Sequence, residues 1–324
     1  MNMSRQQLAV LVVFLLVSVA GQPAVAYELR GWGYDGALLS SSPPSGNDFI
    51  AAAAGDEHGV ALTADGTVLA WGRNVSGQAT VPATLGTCIA VGAGGDVGLA
   101  IEDDGTIVTW GDDYLGHVSD VPAGTYTAVD SGEFFSVALA ADGSIVAWGS
   151  DSSGQVTNVP AGTDFVQVVA GDSHAVALRT NGSVVSWGFW AGIQGQPSTG
   201  TYTAVSAGHN YCLALKDDGS IIHWGDDPWG YGVDEVPAGT DFVAISAGYV
   251  HGLALKDDGS VVGWGAGTTV SDHPHWGQAM PPAGNDYVAI SGGQYWSLSM
   301  VSSNTVFVAA FESGDLSGWS STYP

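Results

Sequence analysis

The chain has 324 residues, of which 6 are Lys or Arg and 32 are Asp or Glu, so its formal net charge is −26 at pH 7. A charge of this sign repels nucleic acid and anionic membranes, and it favours cationic partners, divalent ions or a saline habitat. Charged residues make up only 12% of the chain and glycine contributes 48 residues, which indicates an all-β protein with many tight turns.

The first 26 residues have the pattern of a secretory signal peptide. Arg5 precedes an apolar run over residues 8–20, and Ala24-Val25-Ala26 forms a small-residue cleavage motif. We therefore predict that residues 1–26 are removed, that the protein is secreted, periplasmic or extracellular, and that it does not contact a membrane after cleavage. The alternative is an uncleaved membrane anchor, although the run is shorter than the ~20 residues of a spanning helix.

Seven Trp-Gly pairs recur at intervals of 37 to 40 residues in the rest of the chain. The tryptophans of these pairs are Trp32, Trp71, Trp110, Trp148, Trp187, Trp224 and Trp264. A period of this length is typical of units that must stack to bury their apolar faces. In the unit that ends at Trp264, turn signals separate three short alternating runs, which predicts three antiparallel strands in each repeat.

The second strand of each repeat alternates large and small apolar residues, as in Val60 and Leu62 against Gly59 and Ala61. Because successive side chains point to opposite faces of a strand, both faces of each sheet must pack against other sheets. This pattern is typical of blades arranged around a channel, and it places the repeated tryptophans in the core between blades. The sequence therefore predicts a seven-bladed β-propeller over residues 27–301.

The two ends of the repeat region predict how the ring closes. Residues 27–33 carry a third strand without its first two strands, and residues 287–300 carry a first and a second strand without a Trp-Gly pair. Pairing of these segments completes the seventh blade and hides two sheet edges. Residues 305–309 are an alternative third strand; otherwise residues 302–324 form a flexible C-terminal tail.

The second and third strands are joined by Asp-Gly or Asn-Gly pairs, such as Asp65-Gly66. These pairs predict hairpin turns, because glycine adopts a positive φ without steric cost. The doubled aspartates, such as Asp103 and Asp104, also suggest calcium, but they lack the ligand ladder of an EF-hand loop. We therefore expect no cofactor, with calcium as the alternative.

Neither of the two cysteines is expected in a disulfide. Cys88 replaces a repeated aromatic residue and Cys212 replaces a small strand residue, in two repeats that a ring holds far apart. We predict two buried free thiols, which behave as small apolar side chains.

Three repeated histidines, His58, His174 and His251, share the phase of the large strand face. We expect them to pack at the blade rim rather than to bind metal or act in catalysis, since their repeats lie apart around the ring. His273 and His275 form a weak metal-binding signal in a long loop.

The repeat Ala-Gly-x-x-His-x-x-Ala-Leu-x-x-Asp-Gly-x-x-x-x-Trp-Gly, clearest over residues 170–188, resembles the regulator of chromosome condensation repeat family. Gly77-Gln78 and Val81-Pro82 continue the pattern. The short period is most similar to bacterial secreted members, among them propeller-type β-lactamase-inhibitory proteins. The resemblance implies a seven-bladed propeller that binds another protein. The nucleotide-exchange and chromatin roles of eukaryotic members are not expected in an exported acidic chain.

The strand order predicts that the loops after Ala-Gly and after Trp-Gly share one face, whereas the Asp-Gly hairpins share the other. Only the first face varies strongly between repeats, so we place the partner-binding site there. The candidate residues are Tyr34, Asp56, Glu57, Arg73, Asp112, Asp113, Tyr114, Glu133, Phe134, Asp172, Phe189, Trp190, Asn210, Tyr211, Asp226, Asp227, Trp229, Tyr249, Tyr295 and Trp296. Aromatic side chains mixed with carboxylates suit protein recognition, in which a few aromatic anchors dominate the binding energy.

Three functions fit this face. The first is noncatalytic binding of a protein with a basic surface, which includes inhibition of an extracellular enzyme. The second is carbohydrate binding on Trp190, Trp229 and Trp296. The third is a hydrolase or lyase, whose signature is two or three acidic or His side chains that converge in one small pocket. We favour the first function, carried out by a monomer without catalytic residues.

Overall fold

The computed structural model describes residues 27–36, 39–268 and 276–302. Within these ranges the strands form seven three-stranded antiparallel sheets, so the predicted all-β, seven-bladed propeller is confirmed. The predicted signal peptide, the tail after residue 302, the alternative strand at 305–309 and the two loop histidines lie outside the described residues. No helix in the described part of the chain is long and apolar enough to span a lipid bilayer.

Blades 1 to 6 each consist of three consecutive strands. Their bounds are Phe49–Ala54, His58–Thr63 and Val68–Gly72 (β2–β4); Cys88–Gly94, Val97–Glu102 and Ile107–Gly111 (β5–β7); Tyr126–Ser131, Phe135–Ala140 and Ile145–Gly149 (β8–β10); Phe165–Ala170, His174–Arg179 and Val184–Gly188 (β11–β13); Tyr202–Ala207, Tyr211–Lys216 and Ile221–Gly225 (β14–β16); Phe242–Ala247, His251–Lys256 and Val261–Gly265 (β17–β19). A 3-10 turn, Tyr114–Gly116, and a short helix, Trp190–Ile193 (α1), lie in the segments between blades.

Blade 7 joins the two ends of the chain. Strands Tyr287–Gly292 (β20) and Trp296–Ser302 (β21) are completed by Tyr27–Gly33 (β1), which pairs antiparallel with β21. The Arg30 guanidinium reinforces this closure, since its Nη2 lies 3.0 Å from Asp286 Oδ2. Closure of the ring by the N-terminal strand is therefore confirmed.

The tryptophan of each repeated Trp-Gly pair packs between two blades. Trp71 lies directly opposite Gly59 in the strand register, and a Cβ on Gly59 would overlap with the Trp71 ring. The small face of the middle strand thus makes room for the indole, while Val60 and Leu62 on the large face pack against the next blade. This confirms the predicted core position between blades.

Six of the seven indole N–H groups also donate a hydrogen bond to a backbone carbonyl in the segment that precedes their own blade. The bond from Trp110 Nε1 to Gln78 O measures 2.9 Å. Trp224 Nε1 is buried and has no partner among the described residues. The repeat therefore couples neighbouring blades through both packing and a buried hydrogen bond.

The first strand of each blade lines a central channel of about 160 Å³. Side-chain oxygens on these strands accept backbone N–H groups from the next blade. These bonds run from Ala247 N to Ser206 Oγ (2.9 Å), from Gly292 N to Ser246 Oγ (2.9 Å), from Ala54 N to Ser291 Oγ (3.1 Å) and from Ala170 N to Asp130 Oδ2 (2.9 Å). They add rigidity at the centre of the ring.

Cys88 and Cys212 are free and buried, as predicted. His58, His174 and His251 are also fully buried, which confirms that they belong to the packed rim. Burial lowers the pKa of His174 to about 4 and the pKa of His251 to about 3. These imidazoles are therefore neutral at physiological pH and form part of the scaffold.

The Asp-Gly pairs form hairpins, as predicted. Gly66 has a φ of +85°, and Asp65 Oδ1 accepts the backbone N–H of Thr67 at 3.1 Å. Gly66 O in turn accepts the backbone N–H of Cys88 at 2.9 Å, which ties the hairpin to the next blade. The aspartates at these turns therefore have a local structural role.

Candidate functional site

The loops after the first and third strands of a blade meet at one face of the ring. The residue after Trp-Gly donates its backbone N–H to the loop between the first two strands of the same blade. Arg73 N lies 2.7 Å from Glu57 O, and Asp226 N lies 2.7 Å from Asn210 O. The two sets of loops therefore share a face, which we term the variable face.

Seven residues, one from each blade, encircle the channel mouth on the variable face. Each follows the glycine that comes after the first strand or ends it. These residues, termed the mouth ring, are Asp56, Gly95, Glu133, Asp172, His209, Tyr249 and Gln294. Backbone hydrogen bonds between neighbouring blades hold the ring, for example from His209 N to Tyr249 O at 3.2 Å and from Asp56 N to Gly95 O at 3.3 Å. The side chains at the mouth thus stand on a hydrogen-bonded frame.

Asp56 is strongly affected by other carboxyl groups. Burial and repulsion from Asp172, Asp96 and Glu57 raise the pKa of Asp56 to about 7, although the Arg73 guanidinium opposes this effect. A group with this pKa changes its charge within the physiological range. The protonation state of Asp56 therefore changes when a charged group approaches the mouth.

Glu133 and Asp172 form a carboxyl pair whose pKa values move in opposite directions. Burial, hydrogen bonding to Asp172 and nearby carboxylates raise the pKa of Glu133 to about 8. Burial also acts to raise the pKa of Asp172, but hydrogen bonds from His209 and Glu133 outweigh it and lower that pKa. At neutral pH, Glu133 is therefore mainly protonated and Asp172 is ionised.

Beside the mouth ring lies an acidic depression of about 430 Å³ on blades 1 to 3. Its carboxyl groups belong to Asp56, Glu57, Asp96, Asp112 and Glu133. Arg73 also lines it, with Nε 3.5 Å from Glu57 Oε2 and Nη1 3.4 Å from Asp96 Oδ2. One guanidinium therefore faces five carboxyl groups, and the depression favours further positive charge.

An arc of aromatic rings lies on the variable face of blades 5 to 7. In order along this aromatic arc, the rings are Tyr231, Trp229, His209, Tyr249, Tyr295, Trp276 and Tyr34, with 5.8, 5.1, 4.2, 5.9, 5.0 and 4.7 Å between successive centroids. The Trp229 side chain is 49% exposed. His209 joins the arc to the carboxyl groups, because its Nδ1 lies 3.3 Å from Asp172 Oδ2. The variable face is thus aromatic on one side and acidic on the other.

Four other predicted aromatic residues are exposed on the variable face but lie apart from the arc. Tyr114 and Phe134 contact each other edge to face, with 5.5 Å between ring centroids. Phe189 and Trp190 lie at the start of α1, and Trp190 is 69% exposed. These residues extend the accessible apolar surface towards blades 3 and 4.

The prediction that Tyr211 and Trp296 contact a partner is wrong, because both side chains are buried. Tyr211 Oη donates to the carbonyls of Gly248 and His251, at 3.0 and 2.6 Å. Trp296 Nε1 donates to Gly55 O at 3.0 Å. Both residues occupy the loop position of His58 in blade 1, where the side chain turns inward between blades.

The predicted site residues Asp113 and Asp227 order their own loops. Asp113 Oδ1 accepts the backbone N–H groups of Val118 and Ser119, at 2.9 and 2.8 Å. Asp227 accepts those of Tyr231 and Gly232. Asp35 and Asp151 make the same kind of contact in their repeats. This aspartate position is therefore part of the repeat scaffold.

The sequence reasoning missed His209, Tyr231 and Trp276 in the arc and Asp96 in the depression. Trp276 had a signal, since Trp229-Gly230 and Trp276-Gly277 are Trp-Gly pairs outside the regular interval. Within the described ranges, no group of three or more His, Cys, Asp or Glu side chains is arranged to hold a metal ion.

The regulator of chromosome condensation (RCC1) repeat matches four segments of the chain, residues 49–78, 126–155, 165–189 and 242–268. These segments fall in blades 1, 3, 4 and 6. A comparison with curated protein sequences gave no significant match.

Several solved structures have the same fold. Prp20p from Saccharomyces cerevisiae superimposes with a TM-score of 0.69 at 16% identity, covering 91% of this chain and 96% of Prp20p. Human WBSCR16 gives 0.66 at 15% identity, covering 86% of this chain and 100% of that one. The ectodomain of the Physcomitrella patens receptor kinase CR4 gives 0.63 at 24% identity, covering 80% and 73%.

The repeat therefore recurs in a ring whose blades are built as in these solved propellers. Four blades thus match the regulator of chromosome condensation repeat in sequence, and the ring has the fold of these solved propellers.

Proposed function

We propose that this protein is an exported, noncatalytic propeller that binds another protein through the variable face. The partner has a basic surface, and inhibition of an extracellular enzyme is one form that the binding takes. The observation that carries the proposal is the meeting of the aromatic arc with the acidic depression on one rigid face.

The aromatic arc suits a protein interface. Rigid aromatic side chains provide large contact areas with few rotatable bonds, and they dominate the binding energy at most interfaces. Trp229, Tyr249 and Tyr295 lie next to one another, with Trp229 in stacked contact with Tyr249 at 6.2 Å. The loops that carry them are fixed by backbone hydrogen bonds, so little conformational entropy is lost on binding.

The charge distribution favours a basic partner. Among the described residues, Arg73 is the only Lys or Arg on the variable face. Arg179 pairs with Asp164, and Lys256 Nζ lies 3.0 Å from Asp241 Oδ2, both towards the opposite face. The variable face thus keeps an excess of carboxylates, which speeds association with a cationic surface.

The structural neighbours support a protein partner. Prp20p was studied for its binding to Gsp1p and histones, and it has been crystallised with Kap60. Their low identity to this chain leaves the partner itself to be found by experiment.

The test is recovery of a partner from the culture medium of the source organism at low salt. Immobilised wild-type protein is compared with Trp229→Ala, which removes an exposed ring from the arc. Val243→Ala is the matched control, because Val243 is an exposed apolar residue at the start of β17, away from the variable face. We expect one protein that the wild type and the control retain, that Trp229→Ala loses, and that high salt releases. Equal recovery on all three proteins, or none, counts against the proposal.

The carboxyl pair gives a specific reason to test catalysis as a second function. Glu133 and Asp172 have pKa values shifted in opposite directions, as in acid–base pairs of hydrolases. Together with Asp56 they meet the condition of converging acidic groups in one place. A hydrolase or lyase predicts turnover of a polysaccharide or peptide library that Glu133→Gln abolishes. Unchanged libraries after prolonged incubation would dismiss this function.

Carbohydrate binding loses part of its basis. Trp190 and Trp229 are exposed, but the third stacking platform, Trp296, is buried in the core. A glycan array with the wild type and Trp229→Ala tests what is left of this alternative.

A further inference from the structure

We infer that the variable face recognises one cationic side chain of its partner, an arginine or a lysine, at the channel mouth where the aromatic arc meets the mouth-ring carboxyl groups. The inference rests on the proposed function and specifies the chemistry of the partner's central contact. The arc then packs against the apolar residues that flank this cation.

The junction already shows how a nitrogen-bearing ring is held. His209 stacks on Trp229 with 5.1 Å between centroids, lies 4.2 Å from the Tyr249 centroid, and has Nδ1 3.3 Å from Asp172 Oδ2. Aromatic faces attract cations through the negative potential above the ring. A guanidinium or ammonium beside Tyr249 therefore meets an aromatic face and a carboxylate together.

The rings and the carboxyl groups are close enough to act on one ligand. Burial and the charges of Asp172, Glu133 and Asp56 raise the pKa of Tyr249, and burial and the charge of Asp56 raise the pKa of Tyr295. These shifts show that the two phenol groups lie within electrostatic range of the mouth carboxyls. Arg73 pairs with Glu57 and Asp96, whereas no ion pair of the described residues joins a Lys or Arg to Asp56, Glu133 or Asp172. An incoming cation therefore meets the ionised Asp172 and favours the ionised forms of Asp56 and Glu133.

The size of the channel selects a single side chain. Its volume of about 160 Å³ is smaller than the ~300–1,000 Å³ of typical small-molecule sites. Glycines line the mouth, and a Cβ on Gly94 or Gly132 would overlap with the backbone of the next blade. Deeper in the channel, Asp130 and the hydroxyl groups of Ser206 and Ser246 line the wall. An extended chain with a donor at its tip fits this lining.

The test uses N-acetyl-arginine amide as a probe of one cationic side chain. N-acetyl-citrulline amide is the neutral control, because it keeps the shape and removes the charge. Binding is followed by NMR of ring-labelled tyrosine in the full chain, with Tyr249 and Tyr295 assigned by substitution to Phe. We expect saturable shifts of both residues, with the arginine probe about tenfold tighter than the citrulline probe, which is about 1.4 kcal/mol.

The carboxyl contribution is tested with Asp56→Asn and Glu133→Gln, singly and together. Asp257→Asn is the matched charge control, since Asp257 is exposed on the opposite face. The double variant should weaken the arginine probe about tenfold, while the control changes its affinity less than about twofold. The citrulline comparison is made in the wild type, so it stands even where a variant folds poorly.

Equal affinity for the two probes, or shifts of tyrosines outside the mouth only, would overturn the inference. No partner protein is used in this experiment, so its failure would not contradict the proposal that the arc binds a protein partner. Conversely, probe binding without partner recovery would count against the proposed function alone.

Discussion

Two buried tryptophans allow a direct measurement of what the indole N–H contributes to the repeat. Trp110 and Trp224 occupy the same position in blades 2 and 5, and their side chains are 5% and 3% exposed. Trp110 Nε1 donates to Gln78 O at 2.9 Å, whereas Trp224 Nε1 has no partner among the described residues. Replacement of either tryptophan by Phe removes the N–H and the same amount of ring volume. The two variants therefore differ mainly in whether a hydrogen bond is lost.

The magnitude follows from the cost of unpaired buried polar groups. Trp110→Phe leaves the Gln78 carbonyl without its donor, which costs about 1–3 kcal/mol in addition to the loss of packing. Trp224→Phe removes a donor that is already unpaired, so this part of the change is favourable by a similar amount. We therefore expect Trp110→Phe to lower the free energy of unfolding by about 2–6 kcal/mol more than Trp224→Phe does.

The assay is equilibrium urea denaturation followed by circular dichroism. The slope of the free energy of unfolding against urea concentration should be the same for the two variants. Trp110→Phe should unfold at clearly lower urea than Trp224→Phe. Equal midpoints, or a less stable Trp224→Phe, would refute the view that this hydrogen bond couples neighbouring blades.

Three further predictions concern the mouth and the rim. The affinity of the arginine probe should rise between about pH 6 and about pH 9, because cation binding favours the ionised forms of Asp56 and Glu133, whose pKa values are about 7 and about 8; an NMR titration that shows no change with pH would contradict this. The folded-state pKa of Asp56 is raised, so ionisation of Asp56 destabilises the fold as the pH rises from the ordinary pKa of an aspartate towards 7. Asp56→Asn should therefore stabilise the protein more at pH about 8 than at pH about 4, as measured by thermal unfolding. Tyr211→Phe should cost about 1–3 kcal/mol in urea denaturation, because Gly248 O loses the Tyr211 hydroxyl and His251 O keeps only the backbone N–H of Gly248. An unchanged midpoint would contradict this.

The fold was predictable because each repeat carries its own packing rule. Gly59 and Trp71 face each other across two strands, so the small residue and the large one occur together in the sequence. Closure of the ring was predictable for the same reason, since Trp32 appears without the two strands that normally precede it. Periodicity thus specifies contacts both within a blade and between neighbouring blades.

The site was less predictable because its residues lie near one another only in the closed ring. Tyr34 and Tyr231 belong to one arc through rings from several blades, and no local pattern records that order. Tyr211 and Trp296 were misplaced although they share the loop position of His58, whose burial the strand phase had predicted. Asp113 is exposed as expected, but its role in ordering the loop could not be predicted, because its hydrogen bonds to Val118 and Ser119 depend on the path of the loop.

The central claim is that the aromatic arc forms the core of a protein-binding surface. The most direct measurement is the dissociation constant of the recovered partner for the wild type, Trp229→Ala and Val243→Ala, obtained by surface plasmon resonance. We predict that Trp229→Ala binds at least about tenfold more weakly, mainly through faster dissociation, while Val243→Ala matches the wild type. The same constant for all three proteins would contradict the claim.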